Sequence, residues 1–147
     1  MLRQFMVGAA VMACTIVIHA LVMTTVVWVA QRVGARATWH PWLLLSSVMI
    51  AVVSVLMAAH LSEVIVWSLA YAIVDAAPAG ADLVYFAFVN YTTLGYGDLT
   101  PVARWRLLGP MTAMNGVLLF GWSTAVIFQV LRRTMLSDPQ VPGLTKI

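Results

Sequence analysis

The stretch Thr-Thr-Leu-Gly-Tyr-Gly-Asp at residues 92–98 decides how this chain is organised. Its glycines, Gly95 and Gly97, lie two positions apart, and glycine adopts positive φ at little steric cost. A backbone that alternates between left- and right-handed conformations can turn successive carbonyl oxygens to one side. The stretch therefore predicts a short non-helical segment whose successive carbonyl oxygens face one side.

Apolar segments of membrane length lie on both sides of this stretch. Of the 147 residues, 63% are hydrophobic and only 9% are charged, a composition typical of membrane proteins. A helix needs about 20 residues to cross the bilayer core. The apolar runs predict three transmembrane helices, at 1–31, 42–75 and 107–132.

The remaining segments are too short or too polar to cross a membrane. Residues 81–92 suit a re-entrant helix that stops at membrane depth, with Asp82 near its positive end. Non-helical backbone at that depth is tolerated where it is buried in protein or lines a water-filled path. We predict a cytoplasmic loop at 32–41 and a short cytoplasmic tail at 134–147.

Residues 92–98 resemble the selectivity filter of potassium channels, whose usual form has valine where this chain has Leu94. Residues 42–133 resemble the pore module of that family, and the segments in order are the outer helix 42–75, the pore helix 81–92, the filter 93–98 and the inner helix 107–132. The resemblance implies an all-α membrane protein with three transmembrane helices, a re-entrant pore helix and a filter per chain. It also implies passive, K⁺-selective permeation with no cofactor apart from the permeant K⁺. We expect no enzymatic activity, because the sequence shows neither a nucleophile–base pair nor a phosphate-cradling glycine loop. Because one filter needs four such loops around an axis, the chain is expected to form a homotetramer.

The resemblance also assigns roles to individual residues. The filter line runs from Thr93 to Gly97, and the backbone carbonyls expected to bind K⁺ are those of Thr93, Leu94, Gly95 and Tyr96. Tyr96 is expected to brace the filter against the pore helix. The residues expected to support the filter are Thr92, Asp98 and Asn90, with Asn90 either bonded behind the filter or capping pore-helix carbonyls. Gly116 and Gly121 are candidate gating hinges, and close helix packing through small residues is the alternative.

Three ionisable residues lie within the predicted membrane spans, where such residues are costly. His60 and Glu63 share one face of the second span because they are three residues apart, and His19 of the first span is placed to approach them. Three interpretations stay open: a neutral hydrogen-bonded packing cluster, a proton sensor, and a metal site with two histidines and one carboxylate.

The charges favour one orientation in the membrane. Arg32, Arg36, Arg132, Arg133 and Lys146 lie at one side, and Arg3, Arg104 and Arg106 at the other. The positive-inside rule places the first group in the cytoplasm, which leaves the N-terminus outside and the C-terminus inside. The net charge of +3 is a small bias of this kind and does not indicate nucleic-acid binding. We expect a multi-pass protein of the cell inner (plasma) membrane, with lipid and its own copies as partners.

Two alternatives remain at this stage. One is a non-conducting protein that keeps the pore fold, as an accessory subunit or as a pH or metal sensor built on His19, His60 and Glu63. The other is a weakly selective cation channel, which Leu94 raises because its side chain is longer than valine.

Overall fold

The computed structural model describes residues 1–34 and 41–136, and most of these residues are helical. Its α-helices are α1 (Leu2–Gly34), α2 (Pro41–Val74), α3 (Leu83–Tyr91) and α4 (Leu108–Leu136), with a 3-10 turn at Ala103–Trp105 before α4. Those residues contain no β-strand. The predicted all-α fold is confirmed.

Three of these helices have the length and apolar character needed to cross a membrane. The spans are Leu2–Ala30, Trp42–Val74 and Ala103–Met135. The 34 residues of α2 extend about 51 Å, more than the bilayer core of roughly 30 Å, so α2 either tilts or projects beyond it. No glycine or proline interrupts α2 after Pro41, which explains why it continues as one helix. The chain is a multi-pass membrane protein.

Two helices continue beyond the apolar runs that predicted them. α1 extends to Gly34 instead of ending at residue 31, and α4 extends to Leu136 instead of 132. The added turns carry charged residues such as Arg32 and Arg133, because a helix that has left the bilayer no longer needs apolar side chains. The rest of the predicted loop, with Arg36, and the tail from residue 137, with Lys146, lie outside the described residues.

The short helix α3 begins where an aspartate caps it. Asp82 lies just before the helix, and its carboxylate accepts hydrogen bonds from the backbone N–H groups of Val84 and Tyr85 at 3.0 and 3.1 Å. These are two of the donors that the first helical turn leaves unpaired. The helix therefore covers 83–91 within the predicted 81–92.

The additional helix α1 packs against α2 and α4 of its own chain. Its first turn is fixed to the start of α4, since the side-chain oxygen of Gln4 accepts a hydrogen bond from the backbone N–H of Leu107 at 3.0 Å. The guanidinium of Arg3 lies 5.1 Å from the ring centre of Trp105, a cation–π distance.

The core consists of two apolar clusters at different heights along the bundle. The filter-side cluster joins α2, α3 and α4 and contains Val64, Trp67, Tyr71, Phe86, Tyr91, Trp105 and Leu108. The distal cluster joins α1, α2 and α4 and contains Met23, Val26, Val48, Val52, Leu56, Val126 and Val130. The polar residues His19, His60 and Glu63 lie between the two.

Candidate functional site

The backbone of residues 93–97 alternates between positive and negative φ. Thr93, Gly95 and Gly97 have φ of 59°, 60° and 80°, whereas Leu94 and Tyr96 have negative φ. The two glycines adopt this conformation freely, but Thr93 is β-branched and adopts it at a cost of about 1–3 kcal/mol. The alternation is the one that turns successive carbonyls to one side, and it begins at Thr93, two residues before the first of the two glycines.

The inner end of this segment is held by the last turn of α3. The backbone N–H of Thr93 donates to the carbonyl of Asn90 at 3.1 Å, and that of Leu94 donates to the carbonyl of Val89 at 3.0 Å. The Thr92 hydroxyl donates to the carbonyl of Phe88 at 2.7 Å. These bonds hold Thr93 in its unfavourable backbone conformation.

The outer end of the segment is tied to the first turn of α3. The hydroxyl of Tyr85 donates to the carboxylate of Asp98 at 2.6 Å. This hydrogen bond raises the pKa of Tyr85, so the phenol keeps its proton at neutral pH. The helix α3 thus holds both ends of the segment that follows it.

The side chains between these two ends are exposed in the single subunit. Leu94 is 51% exposed and Tyr96 is 69% exposed. Tyr96 is therefore not covered by the pore helix of its own chain. Every residue from 92 to 98 is exposed in the isolated chain, so the segment presents an open face.

Asn90 bonds away from residues 92–98, and neither of its two expected hydrogen-bonding roles is observed. Its amide N–H donates to the Tyr71 hydroxyl at 3.3 Å, which links α3 to α2. The Thr112 hydroxyl donates to the carbonyl of Leu108 at 2.8 Å, so Tyr71 must donate to Thr112, at 2.6 Å. Asn90 thus joins a buried chain of hydrogen bonds with Tyr71, which has no exposed surface, and Thr112.

The two glycines of α4 have different surroundings. A Cβ atom at Gly116 would collide with the carbonyl oxygen of Tyr91, so this glycine lets α4 touch the end of α3. A Cβ atom at Gly121 would meet no atom within 4 Å. Close packing therefore explains Gly116, and Gly121 remains as a candidate hinge.

The three ionisable membrane residues form one buried cluster. Glu63 accepts from Nδ1 of His19 at 2.7 Å and lies 3.2 Å from Nδ1 of His60. The hydroxyl of Tyr91 also donates to Glu63, and lies 2.9 Å from Nδ1 of His60. Ser123 of α4 lies between the two histidines, 2.9 Å from Nε2 of His60 and 3.3 Å from Nε2 of His19. All four helices contribute to this cluster.

The geometry of this cluster fits hydrogen bonding better than metal ligation. Two imidazoles and a carboxylate are an acceptable donor set for Zn²⁺, and their ligand atoms lie within 4.8 Å of one another. However, both carboxylate oxygens of Glu63 already receive an N–H or O–H donor. Ligand atoms at tetrahedral positions about 2.0–2.1 Å from a zinc ion are roughly 3.3 Å apart, wider than the 2.7 Å between His19 and Glu63.

A second buried group links α1, α2 and α4 nearer the filter. The side-chain oxygen of Asn115 accepts from the Trp67 indole N–H at 2.9 Å and lies 2.9 Å from the Thr15 hydroxyl. Since Trp67 can only donate, the amide oxygen of Asn115 must face it. Asn115 has no exposed surface and joins helices within the subunit.

Sequence reasoning missed the tyrosines of the site. Tyr71, Tyr85 and Tyr91 each place a hydroxyl at a junction between elements. The available signal was a phenol in an otherwise apolar segment, because a buried tyrosine hydroxyl usually finds a partner. The partners lie on other elements, and no spacing rule predicts them.

Comparison with known proteins gives one match. A protein family described as "Ion channel" matches residues 59–133, slightly more than half of the chain. The match begins on α2 beside His60 and continues through α3 and the filter segment to the charged end of α4. No curated protein and no solved structure gives a significant match.

Proposed function

Because the chain belongs to this ion-channel family, we propose that it is a potassium-selective channel that lets K⁺ move passively down its electrochemical gradient. One observation carries the proposal. The sequence of residues 92–98 coincides with alternating φ at Thr93, Gly95 and Gly97, on a segment held at both ends by a short helix. Membership of an ion-channel family favours permeation over catalysis.

The K⁺ ligands in this proposal are backbone carbonyls. Those of Thr93, Leu94, Gly95 and Tyr96 replace the hydration shell of the ion, and the Thr93 hydroxyl adds the innermost ring of oxygens. The hydrogen bonds from Thr93 and Leu94 to α3, and from Tyr85 to Asp98, support this assignment. They keep the carbonyls from closing around a smaller ion or from turning away.

The functional unit is proposed to be a homotetramer. Each chain carries one filter segment, and four are needed around one axis. Residues 92–98 present an open face, and α4 also carries exposed apolar residues, namely Met114, Val117, Leu118 and Trp122. In the assembly, neighbouring copies cover this face, and Tyr96 packs against a neighbour's pore helix.

The channel is proposed to lie in the cell inner (plasma) membrane with its filter mouth outside. Arg32, Arg132 and Arg133 mark the cytoplasmic ends of α1 and α4, while Arg3 and Arg104 lie at the opposite, filter-mouth end. The positive-inside rule then places the N-terminus outside and the C-terminus in the cytoplasm.

Flux from proteoliposomes tests the proposal. We expect K⁺ uptake that exceeds Na⁺ uptake and that Ba²⁺ blocks, because Ba²⁺ fits a filter built for K⁺. A Gly95→Ala channel is the matched negative control, since Gly95 has φ of 60° and alanine is strained there. Equal K⁺ and Na⁺ flux would indicate a weakly selective channel. No flux from assembled wild-type protein would favour the non-conducting alternative.

A further inference from the structure

The buried cluster around Glu63 connects the additional helix α1 to the base of the filter. His19 of α1 contacts one carboxylate oxygen of Glu63, and the hydroxyl of Tyr91 donates to the other. Tyr91 is the last residue of α3, and Thr92 and Thr93 follow it directly. His19 on α1 is thus linked through Glu63 to Tyr91, the residue directly before the segment 92–98.

Donor and acceptor accounting assigns the protons of this cluster. Tyr91 and Nδ1 of His19 both donate to Glu63, so Tyr91 accepts from Nδ1 of His60. Ser123 donates to Nε2 of one histidine and accepts from Nε2 of the other, and both directions satisfy every partner. We take the direction in which Ser123 accepts from His19, so that His19 is the imidazolium, Glu63 is the carboxylate and His60 is neutral. The cluster has no net charge, and every polar atom has a partner.

The distances support this assignment. The His19–Glu63 contact of 2.7 Å is in the range of a charge-assisted bond, whereas the His60–Glu63 contact is 3.2 Å. The side chains of His19 and Glu63 have no exposed surface, and that of His60 is 12% exposed. His19 is therefore the counter-ion of Glu63, and removing it would leave a carboxylate buried without its charge partner.

Tyr91 is held at both of its ends. Its carbonyl oxygen lies against Gly116 of α4, and its hydroxyl is fixed by Glu63 and His60. Its ring is fully buried and packs edge-on against Phe120, 5.4 Å between centres. A residue clamped in this way fixes where α3 ends, and therefore where Thr93 begins its positive-φ conformation.

We infer that Glu63 is a positioning residue for the filter and acts through Tyr91. We infer also that His19, as the partner of Glu63, makes α1 contribute to holding the filter in place. This inference rests on the proposed function for its effect on ion selectivity. Its structural part, the coupling of His19 to the order of residues 92–98, can be measured whether or not the protein conducts. Burying an ion pair seldom adds stability compared with apolar residues, which is consistent with a role in fixing one geometry.

Hydrogen–deuterium exchange of the full-length protein in lipid nanodiscs with K⁺ tests the coupling. The variants are His19→Gln, which removes the charge partner of Glu63, and Tyr91→Phe, which removes only a hydroxyl. In both variants we expect the amide hydrogens of residues 92–98 to exchange roughly tenfold faster or more. Each variant loses a hydrogen bond to the charged Glu63, and these bonds hold Tyr91 in place before the segment. The matched control is Thr15→Val, a change at another fully buried polar position of α1 that contacts Asn115 and not α3.

The double variant His19→Gln with Tyr91→Phe is expected to exchange no faster than the faster single variant, because both break one chain of contacts. Unchanged exchange of residues 92–98 in assembled His19→Gln protein would overturn the inference, as would an equal effect of Thr15→Val. Should His19→Gln fail to assemble, Tyr91→Phe decides alone, and exchange at the wild-type rate would refute the inference.

Ion flux supplies the functional readout on the same variants. We expect the ratio of K⁺ to Na⁺ flux to fall in His19→Gln and Tyr91→Phe channels, and to stay at the wild-type value in Thr15→Val channels. A ratio unchanged in all three would overturn the inference. Wild-type protein that carries no K⁺ would instead refute the proposed function, and the exchange measurement would still decide whether α1 orders the filter segment.

Discussion

Replacing Gly116 with alanine should destabilise the subunit because α4 touches the end of α3 at this glycine. The added Cβ would collide with the carbonyl oxygen of Tyr91, and would lie 3.0 Å from its carbonyl carbon and 3.3 Å from its Cγ. These atoms cannot rotate away, so the cost lies at the upper end of overpacking, about 3 kcal/mol. Alanine recovers up to about 1 kcal/mol of helix propensity. The expected net loss is about 2 kcal/mol.

Thermal unfolding of the purified protein, followed by circular dichroism, measures this loss. For a chain of this size, about 2 kcal/mol lowers the midpoint by roughly 4–8 °C. Gly121→Ala is the matched control, because a Cβ there meets nothing within 4 Å and the helix gains propensity. Equal midpoints for the two variants would refute the view that Gly116 is a packing contact.

Three further substitutions test other contacts of the site. Tyr85→Phe should speed amide exchange at Gly97 and Asp98, because it removes the hydrogen bond to Asp98. The effect should be equal at about pH 6 and pH 8, since this bond raises the pKa of Tyr85 and the wild-type phenol stays protonated at both. An effect confined to one pH would contradict this. Tyr71→Phe should cost about 1–2 kcal/mol of unfolding free energy, since Asn90 loses its acceptor, and an unshifted unfolding midpoint would argue against that bond. Leu94→Val should change the K⁺/Na⁺ permeability ratio by less than about tenfold, because the proposed ligand is the carbonyl and not the side chain; a larger change in reversal potential would show that the side chain sets selectivity.

Much of the fold could be predicted from apolar run length and one motif. Length and composition predict three membrane helices, and Gly95 and Gly97 indicate where the backbone departs from a helix. The ends of α1 and α4 could not be predicted in this way, because hydropathy reports where the bilayer ends and not where the helix ends. Helices that are apolar on all sides also do not reveal which neighbour they contact.

The polar contacts between α1 and α2 were predictable, and those that α3 and α4 add were not. The spacing of His60 and Glu63 predicts a shared face, and His19 was expected to approach it. Tyr91 and Ser123 complete the cluster from α3 and α4, and no local pattern indicates that they do. The positive φ of Thr93 could not be predicted either, because it too depends on contacts with another element.

That conformation is unfavourable for threonine by itself. It is imposed by hydrogen bonds from the backbone N–H groups of Thr93 and Leu94 to the last turn of α3, which form only in the folded chain. Local preference and tertiary structure disagree at this residue, which is where a functional segment is expected to depart from sequence rules.

The reversal potential of the purified channel in a planar bilayer, with K⁺ on one side and Na⁺ on the other, tests the central claim most directly. A filter of carbonyls at residues 93–96 predicts a potential displaced toward that of K⁺, by roughly 59 mV for each factor of ten in the permeability ratio. A reversal potential near zero would contradict the account, because the alternating segment would then not distinguish the two ions.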